Sequence, residues 1–129
     1  MNKILVEVSV GELLDKISIL EIKKKKIKDL GKLKFINDEY NILKDQLNKN
    51  VKSNEKLEKL FQSLKEINAR LWVIEDDKRL CEKNSDFGDK FIKLSRDIHF
   101  LNDDRSKIKL EINNHTGSKI KEIKEYTNY

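Results

Sequence analysis

From Leu33 onward, apolar residues recur in this chain at alternating intervals of three and four, the spacing that keeps one face of an α-helix away from water. One seam reads Leu33, Ile36, Tyr40, Leu43 and Leu47. A second reads Leu57, Leu60, Leu64, Ile67, Leu71, Ile74 and Cys81, with Lys78 intruding. A third reads Phe87, Phe91, Leu94, Ile98, Leu101, Ile108 and Ile112, broken by Arg105. Ahead of them Leu13, Leu14, Ile17, Leu20 and Ile27 also follow helical spacing. A period of 3.6 cannot present one dry face in a strand, where the period is 2. Proline is absent and glycine occurs four times, so nothing kinks these helices and little forces sharp turns. Charged residues make up 40% of the chain and apolar ones 37%, which suits helices that bury only a narrow stripe.

Capping residues divide the pattern. Ser9, Val10, Gly11 and Glu12 form a capping box, so a helix begins at Val10. Asp29 and Gly31 break the next stretch, with Asp29 as the cap of a second helix. The polar run Asn48 to Asn54 ends that helix, and Ser53 or Asn54 caps a third. The third stops near Asn84, a fourth starts from Ser85 or Asp86, and Thr116 with Gly117 closes it. The expectation is an all-α, antiparallel four-helix bundle in a single domain spanning residues 1–129. A continuous helix from Val10 to Lys49 would reduce the count to three. Lys3 to Val8 is β-prone but short, hence an edge strand or an extended arm. Ile120 and Ile123 belong to a last short helix or to a tail carrying Tyr126 and Tyr129.

No run of about 18 apolar residues is present, so no membrane helix is expected. The apolar stretch Ile4 to Val6 is too short for a secretion signal. Cys81 is the only cysteine and cannot form an intramolecular disulfide, which with the other absences favours a soluble, cytoplasmic protein. The net charge of +5 is a modest surplus on a surface dense in both signs. Nucleic-acid binding through the Lys23 to Lys26 run is therefore the weakest reading, since four successive lysines point around the whole helix.

Charged side chains beside a dry seam are costly unless paired, so they carry the most information. Asn68, Glu75 and Glu82 lie seven apart on the third helix, and Arg79 is four from Glu75. Glu21 falls in line with Leu14 and Ile17, while Arg105, with Asn102 beside it, takes a seam position on the fourth helix. The chain uses Lys for 24 of its 28 basic residues, so its four arginines point to places that need a planar, bidentate donor. Facing helices are expected to set Glu21, Glu75 and Glu82 against Arg79, Arg96 and Arg105.

Two functions fit that seam. One is a non-catalytic interaction or assembly module, a homodimer, in which the polar residues fix register. The other is a small enzyme or metabolite binder, with Arg79, Arg96 and Arg105 holding a phosphorylated or carboxylated ligand and Glu75 or Glu82 as general base. Trp72 either flanks the core or stacks on that ligand. Acidic pairs such as Glu12 with Asp15 and Glu55 with Glu58 arise by chance in so acidic a chain, His99 and His115 are far apart, and no phosphate-cradling glycine loop occurs. No metal or cofactor is expected.

The segments Val8–Lys23 (VSVGELLDKISILEIK), Leu71–Asp76, Asn102 to Arg105, and Ile112 and Asn113 with Gly117 and Ser118 resemble an uncharacterised family of small bacterial and phage proteins, domain of unknown function 6165. The resemblance covers nearly the whole chain. It implies one compact unit and supplies no activity. Members read Glu-x-Lys-x-Tyr near the end, similar to Glu122, Lys124 and Tyr126 here, which implies that the tail belongs to the domain. The resemblance also directs attention to Lys16, Glu21, Glu75, Asp76, Asn102 and Arg105. Members carry an apolar residue where this chain has Lys78, implying a looser core there.

Overall fold

Three of the four helices begin where a side chain takes an N–H that the helix itself cannot satisfy. Ser9 Oγ accepts from the Glu12 amide at 3.1 Å, Asp29 Oδ1 from Lys32 at 2.9 Å, and Asn54 Oδ1 from Leu57 at 2.8 Å. The resulting elements, in a computed structural model that describes residues 2–129, are α1 (Val10–Lys26), α2 (Leu30–Asn50), α3 (Glu55–Lys83) and α4 (Asp89–Thr116). The chain is thus all-α, and the Asp29 cap gives four helices. Helix α4 departs from the expected start. Its cap is Gly88, without a side-chain bond, because Ser85 turns into the left-handed region at φ 52° and Asp86 Oδ1 accepts from the Gly88 amide instead. At the other end Gly117, at φ 67°, closes α4 as a left-handed glycine cap.

Helices α3 and α4 form the most extensive pair, α1 packs on both of them, and α2 packs on α1 alone. Leu14, Leu57, Leu64 and Ile112 make the central cluster, with Leu47, Val51, Phe61 and Ile108 against it. Lys78 is accommodated on the α3 seam because its ammonium sits over the Phe91 ring, 5.3 Å from the centroid. Among the described residues no strand forms: the arm before Ser9 is neither helix nor strand, and Ile4, Leu5 and Val6 are exposed. The last twelve residues, from Ser118, hold no helix either. No described helix is long and apolar enough to cross a membrane.

Candidate functional site

The site starts from a glycine. A Cβ on Gly11 would lie 2.6 Å from the Lys109 carbonyl oxygen and 2.9 Å from Asn113 Oδ1, so only a residue without a side chain lets α1 approach α4 this closely. The approach also satisfies two free amides at the start of α1. Gly11 N–H donates to Asn113 Oδ1 at 2.7 Å, and Val10 N–H donates to Ser118 Oγ at 3.0 Å.

One helical turn further, the same face of α1 presents Asp15 to Arg105. Asp15's side chain is 3% exposed, and Arg105 grips it with two parallel bonds, Nε to Oδ1 at 2.9 Å and Nη2 to Oδ2 at 2.5 Å. Asn68 of α3 donates to Asp15 Oδ1 at 2.9 Å and to Ser18 Oγ at 2.7 Å, and Ser18 donates to the Asp15 carbonyl at 2.8 Å. A single carboxylate therefore ties α1, α3 and α4 together. Among the described residues no buried side-chain nitrogen or oxygen lacks a partner. The hydrogen bond to Asp15 raises the Arg105 pKa above its ordinary value against the opposing effect of burial.

Next along α4 is Lys109, whose side chain is 12% exposed. Its ammonium donates to Glu12 at 2.8 Å and to Glu122 of the C-terminal tail at 3.0 Å, with Asp15 Oδ2 at 3.9 Å. Glu12 thus serves Lys109 rather than reaching back to the Ser9 amide as a capping box would have it. Burial pushes the Lys109 pKa down, but the bonds to Glu12 and Glu122 outweigh it and the net shift is upward. Glu122 is held down to about 2, first by Lys124 at 2.5 Å and then by Lys109.

The tail runs over this cluster. Tyr129 donates from its hydroxyl to Asp103, stacks on the His99 ring at 5.2 Å and 15°, and meets Phe100 edge-on at 5.3 Å. Between tail and helices lies an open cleft of about 690 Å³, lined by Arg105 and Lys109 with Glu12, Glu122, Tyr126 and Tyr129 among its walls. On the other side of Arg105 a second cleft, of about 650 Å³, opens among α1, α3 and α4.

The sequence-derived candidates distribute unevenly over this arrangement. Trp72, Glu75, Asp76, Arg79, Asn102 and Arg105 all line the second cleft, and Arg105 and Asn102 line the first as well. Glu21 lies elsewhere, bonded to Lys65 at 3.0 Å and to the Tyr40 hydroxyl at 3.3 Å. Lys16 is exposed and reaches only Glu12, at 3.9 Å. Glu82 and Arg96 are exposed and line neither cleft. The expected pairing of Glu21, Glu75 and Glu82 with Arg79, Arg96 and Arg105 does not form, because Asp15 occupies Arg105 and Lys65 occupies Glu21.

Sequence reasoning did not single out Lys109, set Asp15 aside as half of a chance acidic pair with Glu12, and met Glu122 only in the tail pattern of the resemblance. Asp15 had a signal: Gly11, Asp15, Ser18 and Ile22 recur at four, three and four, a second buried stripe beside the apolar one, and all four are buried. Glu122 had only the tail pattern, which tied the tail to the domain without naming a partner, and Lys109 had no signal, being one charge among many. Among the described residues no three His, Cys, Asp or Glu side chains gather to hold a metal ion.

One family model matches the chain over residues 4–129, that of a family of unknown function (DUF6165). No curated protein and no solved structure matches it.

Proposed function

Since the chain belongs to this family of unknown function, we propose from the site's geometry that it is a binding module for an anionic small molecule, seated in the cleft between α4 and the C-terminal tail. The observation that carries this reading is Lys109, whose side chain is mostly buried and which lines the cleft beside the Arg105 guanidinium. A volume of about 690 Å³ falls within the usual 300–1,000 Å³ range of ligand pockets. Cations withdrawn from water attract an anion more strongly than exposed ones do. Asp15 has both oxygens engaged, and that supports a role in holding the cleft's shape rather than in taking up a proton.

The test is a thermal-shift screen with carboxylated and phosphorylated metabolites on wild type and on Lys109→Met. A ligand at 100 times its Kd stabilises by about 2.7 kcal/mol, a shift of several degrees for a domain of this size. The expected outcome is a shift that Lys109→Met abolishes. If no compound moves the melting temperature of wild type at millimolar concentration, the reading fails.

A specific observation also favours self-assembly. Phe35 and Ile42, seven apart on α2, are 76% and 63% exposed and so form an unpartnered second stripe. An antiparallel pair of α2 helices from two copies would set Phe35 against Ile42 and Lys32 against Asp45, joining apolar and charge complementarity. Light scattering with size-exclusion chromatography over a concentration series decides it. A monomer at every concentration removes this second reading.

A further inference from the structure

Lys109 has three N–H groups, and only two meet a carboxylate within hydrogen-bond reach. Glu12, on the neighbouring helix α1, takes one at 2.8 Å. The second partner, Glu122, comes from a segment with no helix or strand to hold it. Asp15 Oδ2, at 3.9 Å, is too far for a hydrogen bond. When the tail lifts, the N–H that Glu122 held is left to water or to a competing anion, and with Glu12 and Arg105 in place it is already aimed into the cleft.

Resting on the cleft reading above, we propose that Lys109 beside Arg105 is the recognition subsite for the carboxylate group of a small molecule, and that Glu122 occupies it in cis as a tethered competitor. Charge selects the class. The inner cations Arg105 and Lys109 already face the inner anions Asp15 and Glu12, and Asp103 on the same wall adds a further negative charge that, among the described residues, only the Tyr129 hydroxyl meets, so the helices hold no spare positive charge for a doubly charged ligand. Glu122 adds one negative charge, and Lys124 at 2.5 Å balances it. A monocarboxylate reproduces that single charge and its two oxygens, whereas a phosphate dianion brings an additional charge that nothing inside compensates. The tail's aromatic anchor, Tyr129 on His99 and Phe100, keeps Glu122 near the subsite. A tether of this length holds it at roughly millimolar effective concentration. An entering carboxylate has to outcompete that concentration.

The experiment is an amide NMR titration of the full chain with acetate and, separately, inorganic phosphate, using wild type, Glu122→Gln and Glu122→Ala. Glu122 is on the exposed tail, so neither substitution disturbs the helices. The expected result is that acetate shifts the Ser106 and Lys109 amides in both variants with a Kd about tenfold lower than in wild type, as removal of a tethered competitor requires. Phosphate gains less. Equal acetate affinity in wild type and both variants overturns the competitor, and phosphate binding tighter than acetate in the variants overturns the carboxylate assignment. Variants that ignore acetate while a screened metabolite still stabilises wild type overturn the subsite and leave the cleft reading standing. If neither acetate nor any metabolite acts on any form, both fall together.

Discussion

Helices α1 and α2 reverse what their sequences advertise. Helix α2 is the longer at 21 residues and has the more regular heptad seam, yet only Ile36 is buried in it and it packs on α1 alone. Helix α1, at 17 residues, touches all three other helices and buries seven of its own, among them Gly11, Asp15 and Ser18. A regular apolar stripe suffices for a helix that meets one neighbour. A helix enclosed by several must also have small side chains where backbones approach and polar ones that find partners away from water. The buried polar face of α1 is also what shapes the cleft, so the central helix and the candidate site are one problem of packing.

The contrast can be broken most directly by making the same cut in both helices. Ile17 is fully buried at the centre, and Ile17→Ala should cost about 4 kcal/mol of unfolding free energy, near the upper part of the range for such truncations. Ile36→Ala should cost about 2 kcal/mol, because α2 has one neighbour and can settle onto the smaller side chain. Urea denaturation measures both. Equal costs would mean that α2 is as integral as α1. Asp15→Ala comes next, at about 3 kcal/mol, since it strands the partly buried Arg105 guanidinium and the Asn68 amide together.

Gly11→Ala tests the close approach itself. The new methyl meets the Lys109 carbonyl oxygen, a backbone atom that cannot swing aside, so α1 must shift and the cost should be about 2 kcal/mol. The Arg105 Nε resonance should move with it, because the shift is transmitted one turn along to Asp15. A stable variant with an unmoved Arg105 signal would show that the two helices have slack.

How much of this was legible beforehand divides along the same line. The α3 seam is buried or half-buried from Leu57 to Cys81, as its heptad spacing requires, and the caps Ser9, Asp29 and Asn54 act at the expected places. Those features depend on residues within one or two turns of each other. The site depends on side chains far apart in sequence: Arg105 is 90 residues from Asp15, and Lys109 is 97 from Glu12. Spacing could mark Arg105 and Asn68 as residues that needed partners. It could not choose Asp15 over Glu21 or Glu75, because that choice follows from how α1 rotates once Gly11 lies against α4. Lys78 carries the same lesson, since the Phe91 ring that receives its ammonium lies on the next helix.

Acid should separate the tail from both helices with a smaller effect. The Glu122 carboxylate is depressed from an ordinary 4.5 to about 2, so its contribution to tail docking is complete above pH 4.5 and fades as the pH falls toward 2. At pH 4, where a free glutamate is largely protonated, the tail should still be docked. The Lys109 signals should therefore hold between pH 7 and 4 and move only below that, whereas Glu122→Gln should already shift them at pH 7. Signals moving with a midpoint near 4.5 would show that Lys109 and Lys124 do not hold Glu122 in solution.

The least effect on stability belongs to the outer face of α2, and there its absence is informative. Phe35 is exposed and contributes little to the packing of its own chain, so Phe35→Lys should change unfolding free energy by less than about 0.5 kcal/mol in a monomer. In a dimer paired through α2, the same lysine would face Ile42 of the second copy, and dissociation would lower the melting temperature in a concentration-dependent way. Scanning calorimetry of wild type and Phe35→Lys at two protein concentrations separates these cases. A flat response in both makes α2 a rim helix with a free outer face; a wild-type melting temperature that rises with concentration, and a variant's that does not, makes it the second-best buried helix of an assembly.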